Sequence, residues 1–214
     1  VFLWDGDTKI LLAIIKFVED QLNVEHDTRE GNVRVILLVE NSVRYYSSFL
    51  PLIYTEVMKL TQALIADSVN MMHRLLRMRA RPRILLAETF EEAWDVYSKY
   101  GDNLLGLISD VRFPRKGELD AQAGLELTRR ARKNYPHLPV LLQSSDASYA
   151  AAANELGVYF VRKRSRNLMR RLREFLLTNL GFGDFIFKTV DGAEVGRART
   201  LLDLEEGIAC VPDD

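Results

Sequence analysis

From Val35 onward the chain alternates short apolar runs with segments of helical period, and this alternation restricts its fold more than any other feature. The runs Val35 to Val39, Ile84 to Ala87, Leu104 to Ile108, Val140 to Leu142 and Tyr159 to Val161 are too short for helices and are bounded by polar residues. A strand that is apolar at nearly every position is buried on both faces, as happens where helices cover a parallel sheet on both sides. The pattern therefore predicts an α/β, doubly wound, five-stranded parallel sheet. At 214 residues and 48% hydrophobic, the chain can fill such a core and carry appendages.

Helices are expected in the gaps. Thr89 and Glu92 spell a capping box that opens a helix ending near Gly101, and Gly124 to Lys133 carries Leu125, Leu127 and Ala131 on one side. Asp146 can cap the alanine-rich stretch to Leu156, and Ser165 can cap Leu168 to Leu180. Between the first two strands the spacing is abnormal, because Ser47 to Arg79 has no Gly or Pro after Pro51. Leu50, Ile53, Val57, Leu60, Leu64, Met71, Leu75 and Met78 recur there at three- and four-residue steps, a seam broken only around Asp67 and Ser68. The stretch is either a helix pair folded back near Asp67 or a projecting helix, and the second reading predicts a homodimer through residues 47–79.

Three parts follow: an N-terminal strand and helix over 1–31, the sheet domain over 32–181 with a helical insertion at about 58–81, and a C-terminal hairpin and short helix over 182–214. The hairpin signal is Asp191-Gly192 between alternating residues. The first residue is Val, which reads as a piece of a longer polypeptide. A net charge of -1 gives no global attraction to nucleic acid or anionic lipid. Five arginines lie between Arg74 and Arg83, and "VRKRSRNLMRRLR" is as basic, yet without interleaved aromatics both read as solvated helix faces. Cys210 alone makes neither an internal disulfide nor a cluster, and His26, His73 and His137 lack metal-ligand spacing. No apolar run is long enough to span a bilayer, so a cytoplasmic protein is expected.

The chemistry gathers after the strands: Glu40 and Asn41 after the first, Asp110 after the third, Ser144 after the fourth and Lys163 after the fifth. In open α/β sheets that edge is where ligands bind. Asp110 alone could equally cap a turn, since Pro114 and Gly117 follow it. Its company favours a reactive carboxylate.

The stretches "VILLVENS", "SDVRFPRKG" with "AGLELTRRAR", "HLPVLLQSS" and "ELGVYFVRKRS" together resemble the receiver domain of bacterial response regulators in two-component signalling. The resemblance implies a flavodoxin-like fold and a regulatory module rather than an enzyme. It implies that Asp110 accepts a phosphoryl group from a phosphohistidine-bearing kinase or phosphotransfer domain. Glu40, Asn41, Asp110 and the main-chain carbonyl of Arg112 would hold Mg2+, an oxygen-only set suited to a hard cation. Lys163 would neutralise a phosphoryl oxygen, and Ser144 and Phe160 would form the switch that reports to an attached output domain.

Two departures stand out. Asn41 replaces the second acid of the family, which removes a charge and weakens the metal site. Arg164 replaces the proline that usually follows the lysine, so the peptide there is expected to be trans, a non-proline cis bond costing ~3 kcal/mol. The first departure supports an alternative: a pseudo-receiver that assembles a larger enzyme without being phosphorylated. "FLWDGDTK", "LLRMRARPRILLAET" and "GFGDFIFK" resemble the region ahead of the catalytic domains in phosphoenolpyruvate-synthase-like proteins. "VFLWDGDTK" also resembles the Asp-x-Asp start of haloacid-dehalogenase-type phosphatases, but Thr8 is wrongly spaced for that family. Phe2 to Asp20 is closer to the last strand and helix of a preceding receiver-like module.

Overall fold

The computed structural model describes residues 1–4, 6–66, 81–180, 185–189 and 194–198. All five expected strands are present: β1 (Val35–Val39), β2 (Arg83–Ala87), β3 (Leu104–Asp110), β6 (Val140–Ser144) and β7 (Tyr159–Arg162). They form one parallel sheet in the order β2-β1-β3-β6-β7. Counting only these strands, the order is 2-1-3-4-5, the flavodoxin-like doubly wound arrangement.

The strand alternation sorts residues onto two faces. Val35, Leu37, Val39, Leu85, Leu107 and Leu142 pack under α3 (Phe90–Tyr100), α4 (Ala123–Asn134) and α5 (Tyr149–Glu155). Ile36, Leu38, Ile84, Ile108 and Leu141 pack under α1 (Lys9–Gly31), α2 (Val43–Ala66) and α6 (Leu168–Glu174). Thr89 caps α3 as expected, accepting from Glu92 N–H at 3.2 Å. The returning Glu92 carboxylate reaches Glu88 N–H at 2.7 Å, one residue before the cap.

Four expectations change. Residues 1–4 contain no strand, and the N-terminal helix runs on to Gly31, well past Asp20. This helix packs on α2 and β2, so it is seated on the sheet domain. The helix expected up to Leu180 is α-helical only to Glu174 and continues as a π turn over Phe175–Asn179. Asp146 does not cap α5 directly: it accepts from Ser148 N–H at 2.9 Å, and Ser148 is the residue before the helix. The segment after Asp110, expected as a simple turn, is a small hairpin of β4 (Phe113–Arg115) and β5 (Glu118–Asp120). Lys116 (φ 53°) and Gly117 (φ 83°) form its two-residue turn, both left-handed, the pattern of a type I′ turn.

The long seam divides. Leu50, Ile53 and Val57 are core residues of this domain, packed with Tyr46, Phe49 and Tyr54 against the sheet. That half is closed to a second molecule. From Leu64 through Met78 its side chains lie outside the described residues, as do the Asp191-Gly192 turn, residues 199–214 and Cys210. The strands flanking that turn, β8 (Phe185–Lys188) and β9 (Glu194–Ala198), pair antiparallel as expected. No described helix is long and apolar enough to cross a membrane.

Candidate functional site

Register brings the polar strand ends together. Val39 lies beside Ser109, Asp110 beside Gln143 and Ser144 beside Arg162, so Glu40, Asp110, Ser144 and Lys163 share the carboxyl edge of the central strands. Asp110 is the last residue of β3 rather than the first after it, because pairing with β6 continues through Ser109 and Asp110.

Lys163 is the hub. Its Nζ lies 2.5 Å from Asp110 Oδ2 and 2.5 Å from Glu40 Oε2, with the lysine and Glu40 both buried. The ammonium also sits 4.4 Å from the centroid of the Tyr45 ring, a cation–π contact in a dry setting. Asp110 Oδ1 accepts from Val111 N–H at 2.7 Å and from Arg112 N–H at 3.4 Å. Glu40 Oε1 accepts from Ser42 N–H at 3.0 Å, and its Oε2 accepts from Gln143 Nε2 at 3.4 Å. Burial first, and then the Asp110 charge, push the Glu40 carboxyl up to about 7 against the pull of Lys163. Two acids around one cation leave a net charge of −1 when both are ionised.

Ser144 is buried, and its hydroxyl oxygen accepts from Asp146 N–H at 3.2 Å. Asp146 is held below its ordinary range by the Ser148 N–H and hydroxyl, with smaller help from Arg112 and Arg162. Phe160 is half-buried in β7 opposite Leu142 and packs toward the α3–α4–α5 side. No cis peptide occurs among the described residues, which leaves the Lys163–Arg164 bond trans as expected.

The donors available to a divalent cation are the Glu40 and Asp110 carboxylates, the Asn41 amide and the Arg112 carbonyl. Among the described residues no three His, Cys, Asp or Glu side chains are grouped as a metal site. The oxygen-only set still suits Mg2+, a hard cation. Two carboxylates, one amide and one carbonyl are the oxygens such a cation would draw on.

Sequence reasoning missed three contributors. Tyr45, in the first turn of α2, stacks on Phe49 with ring centroids 5.8 Å apart and covers Lys163. Nothing in the spacing announces it. Gln143 did leave a signal, a polar residue inside the apolar run "VLLQSS". Gly124 admits the start of α4 against β3, its N–H donating to Val111 O at 3.0 Å.

No family model matches the chain. No curated protein matches it. Among solved structures it is similar to a response-regulator receiver domain protein from Clostridium thermocellum, with 15% identity, a TM-score of 0.49, and coverage of 69% of this chain and 94% of that one. It is also similar to a CheY-like receiver domain protein from Methanospirillum hungatei, at 14% identity and a TM-score of 0.41, covering 69% and 94%. The non-phosphorylated HemR receiver domain from Leptospira biflexa is 20% identical with a TM-score of 0.38, covering 85% and 98%. The fold assignment rests on this chain's own strand order.

Proposed function

We propose that the chain is a receiver module in which Asp110 accepts a phosphoryl group from a phosphohistidine donor and so regulates an attached or partner domain. The observation that carries this reading is the convergence of Asp110, Glu40, Lys163 and Ser144 on one sheet edge, with Lys163 touching both acids. An Asp110 oxygen attacks phosphorus, the phosphorus–nitrogen bond breaks, and the imidazole leaves with that electron pair. Such a transfer depends mostly on placing positive charge around the equatorial oxygens. Lys163 supplies one such charge. The Ser144 hydroxyl donates to another oxygen, and Phe160 follows it. Glu40, Asn41, Asp110 and the Arg112 carbonyl would hold Mg2+, which would supply further positive charge to neutralise the phosphoryl group.

Incubation with acetyl phosphate and Mg2+, followed by intact mass, is expected to give a hydroxylamine-labile adduct. Asp110→Asn is expected to abolish it while leaving the urea midpoint near that of wild type, because an amide cannot attack phosphorus. An adduct that survives the substitution places the chemistry elsewhere. Asn41→Asp restores the missing charge and is expected to tighten Mg2+ binding about tenfold in a calorimetric titration. Equal affinities would remove Asn41 from the metal site.

A second reading is favoured by Asn41 and by the lysine already held between the two acids: a pseudo-receiver that regulates or dimerises a larger phosphoenolpyruvate-synthase-like enzyme without phosphorylation. Absence of any adduct with wild type and Asn41→Asp alike selects it.

A further inference from the structure

Lys163 reaches across the sheet edge to its partners. It follows β7, while Glu40 follows β1 and Asp110 ends β3, so its stem crosses the end of β6 to bring Nζ to both acids. Its own N–H donates to Ser144 O at 2.9 Å, which fixes the root of the side chain and not its tip. A lysine stem is flexible, and its ammonium is a compact charge with freely turning donors. Beside the two carboxylates that charge meets the Tyr45 ring, with Nζ 4.4 Å from the centroid. The ring is itself fixed. Ser42 N–H donates to Glu40 Oε1 at 3.0 Å and Ser42 O accepts from Tyr45 N–H at 2.9 Å, so one residue ties the carboxylate to the helix start that carries the ring. Four residues on, Phe49 is buried in the core and stacks on Tyr45 with an interplanar angle of 22°.

We infer that Tyr45 is a positioning residue for phosphoryl acceptance: its ring holds the Lys163 ammonium beside Asp110, where the oxygens of an incoming phosphoryl group arrive. The inference rests on the phosphoryl-acceptor reading above. A placed charge acts strongly only where water is excluded, and the ring keeps water from the ammonium without adding a further negative charge. It also binds without a directional lone pair. Another carboxylate would hold the lysine in place, whereas an aromatic face lets the ammonium turn from Glu40 to a phosphoryl oxygen while it stays covered. The contact depends on the ring face and not on the phenol hydroxyl. Phenylalanine at this position therefore keeps it, and leucine fills the space but loses it.

Two readouts on the whole chain test this. With acetyl phosphate and Mg2+, Tyr45→Leu is expected to slow adduct formation about tenfold, and Tyr45→Phe should stay within about twofold of wild type. Tyr45→Met fills the same gap flexibly and should behave like Tyr45→Leu, which guards against a leucine that disturbs the packing on Phe49. The second readout needs no phosphoryl donor. In protein carrying isotope-labelled lysine, the Cε-proton resonance that vanishes in Lys163→Met is expected upfield of the other lysines in wild type and Tyr45→Phe, shifted by the ring current, and among them in Tyr45→Leu. Equal rates for the leucine and phenylalanine variants, with wild type forming its adduct, overturn the role of Tyr45 alone. A faster reaction in Tyr45→Leu does the same by making the ring a barrier, and an unshifted Lys163 resonance in wild type removes the contact itself. If wild type forms no adduct, the phosphoryl-acceptor reading falls and this inference falls with it.

Discussion

Asp20→Ala is expected to lower the free energy of unfolding by about 3 kcal/mol at pH 7, read from urea curves. Asp20 is fully buried on α1, and five donors converge on its two oxygens. Arg81 Nη2 and Arg83 Nη1 reach Oδ1 at 2.6 and 3.1 Å. Tyr54 OH, Arg81 Nη1 and Ile84 N–H reach Oδ2 at 3.0, 3.3 and 2.9 Å. Alanine leaves the Ile84 amide and the Tyr54 hydroxyl buried without an acceptor. It leaves the arginines only the rim acids, Glu19 for both and Asp27 for Arg83. Asp27→Ala, at the edge of the cluster, should cost less than half as much. A pH dependence accompanies the loss. Burial holds the Asp20 carboxyl up at about 6 against an ordinary value of 3.8. Between those values the folded chain binds a proton that the unfolded chain has lost, so this residue's share of the stability declines as pH rises through the window. Asp20→Ala should remove that slope. A substitution costing under about 1 kcal/mol would mean that α1 is not fastened to β2 through this cluster.

That cluster also marks where the sequence stops being legible. The five sheet strands could be read because each is an apolar run, and their polar ends, Ser109, Asp110, Gln143, Ser144 and Arg162, could not be assigned to strands because only pairing extends them. Glu40, Asp110, Ser144 and Lys163 were readable as a group because parallel topology forces whatever follows each strand to one edge. Ion pairing leaves no periodic trace. Arg81 and Arg83 end a basic run that reads as solvated, yet they turn inward onto an acid some 60 positions earlier. Likewise, the first half of the α2 seam had the correct period and found its partner in its own sheet, since periodicity reports that a face is apolar and not what covers it. The β4–β5 hairpin escaped because three-residue strands are too short to show alternation, although Lys116-Gly117 carries the left-handed turn.

Gly124→Ala is expected to cost about 3 kcal/mol and to abolish phosphoryl acceptance, for a reason that lies in the backbone. A Cβ at position 124 would stand 2.2 Å from Asp110 O, 2.9 Å from Val111 Cα and 3.1 Å from Asp110 C. None of these atoms belongs to a rotatable side chain, so the contact cannot be relieved by a rotamer change. Either α4 lifts from the end of β3, breaking the Gly124 N–H to Val111 O bond, or the Asp110 peptide turns. Both movements shift the carboxylate that Lys163 holds at 2.5 Å. Gly117→Ala is the control, because Gly117 lies in the hairpin turn before α4, meets nothing within 4 Å and carries only the strain of its φ of +83°. That substitution should cost about 1 kcal/mol and leave the adduct intact. Urea midpoints and intact mass after acetyl phosphate treatment separate the two variants. If Gly124→Ala behaves like Gly117→Ala in both measurements, the close approach of α4 to Asp110 is not what positions the acceptor, and the hairpin between them becomes the element that does.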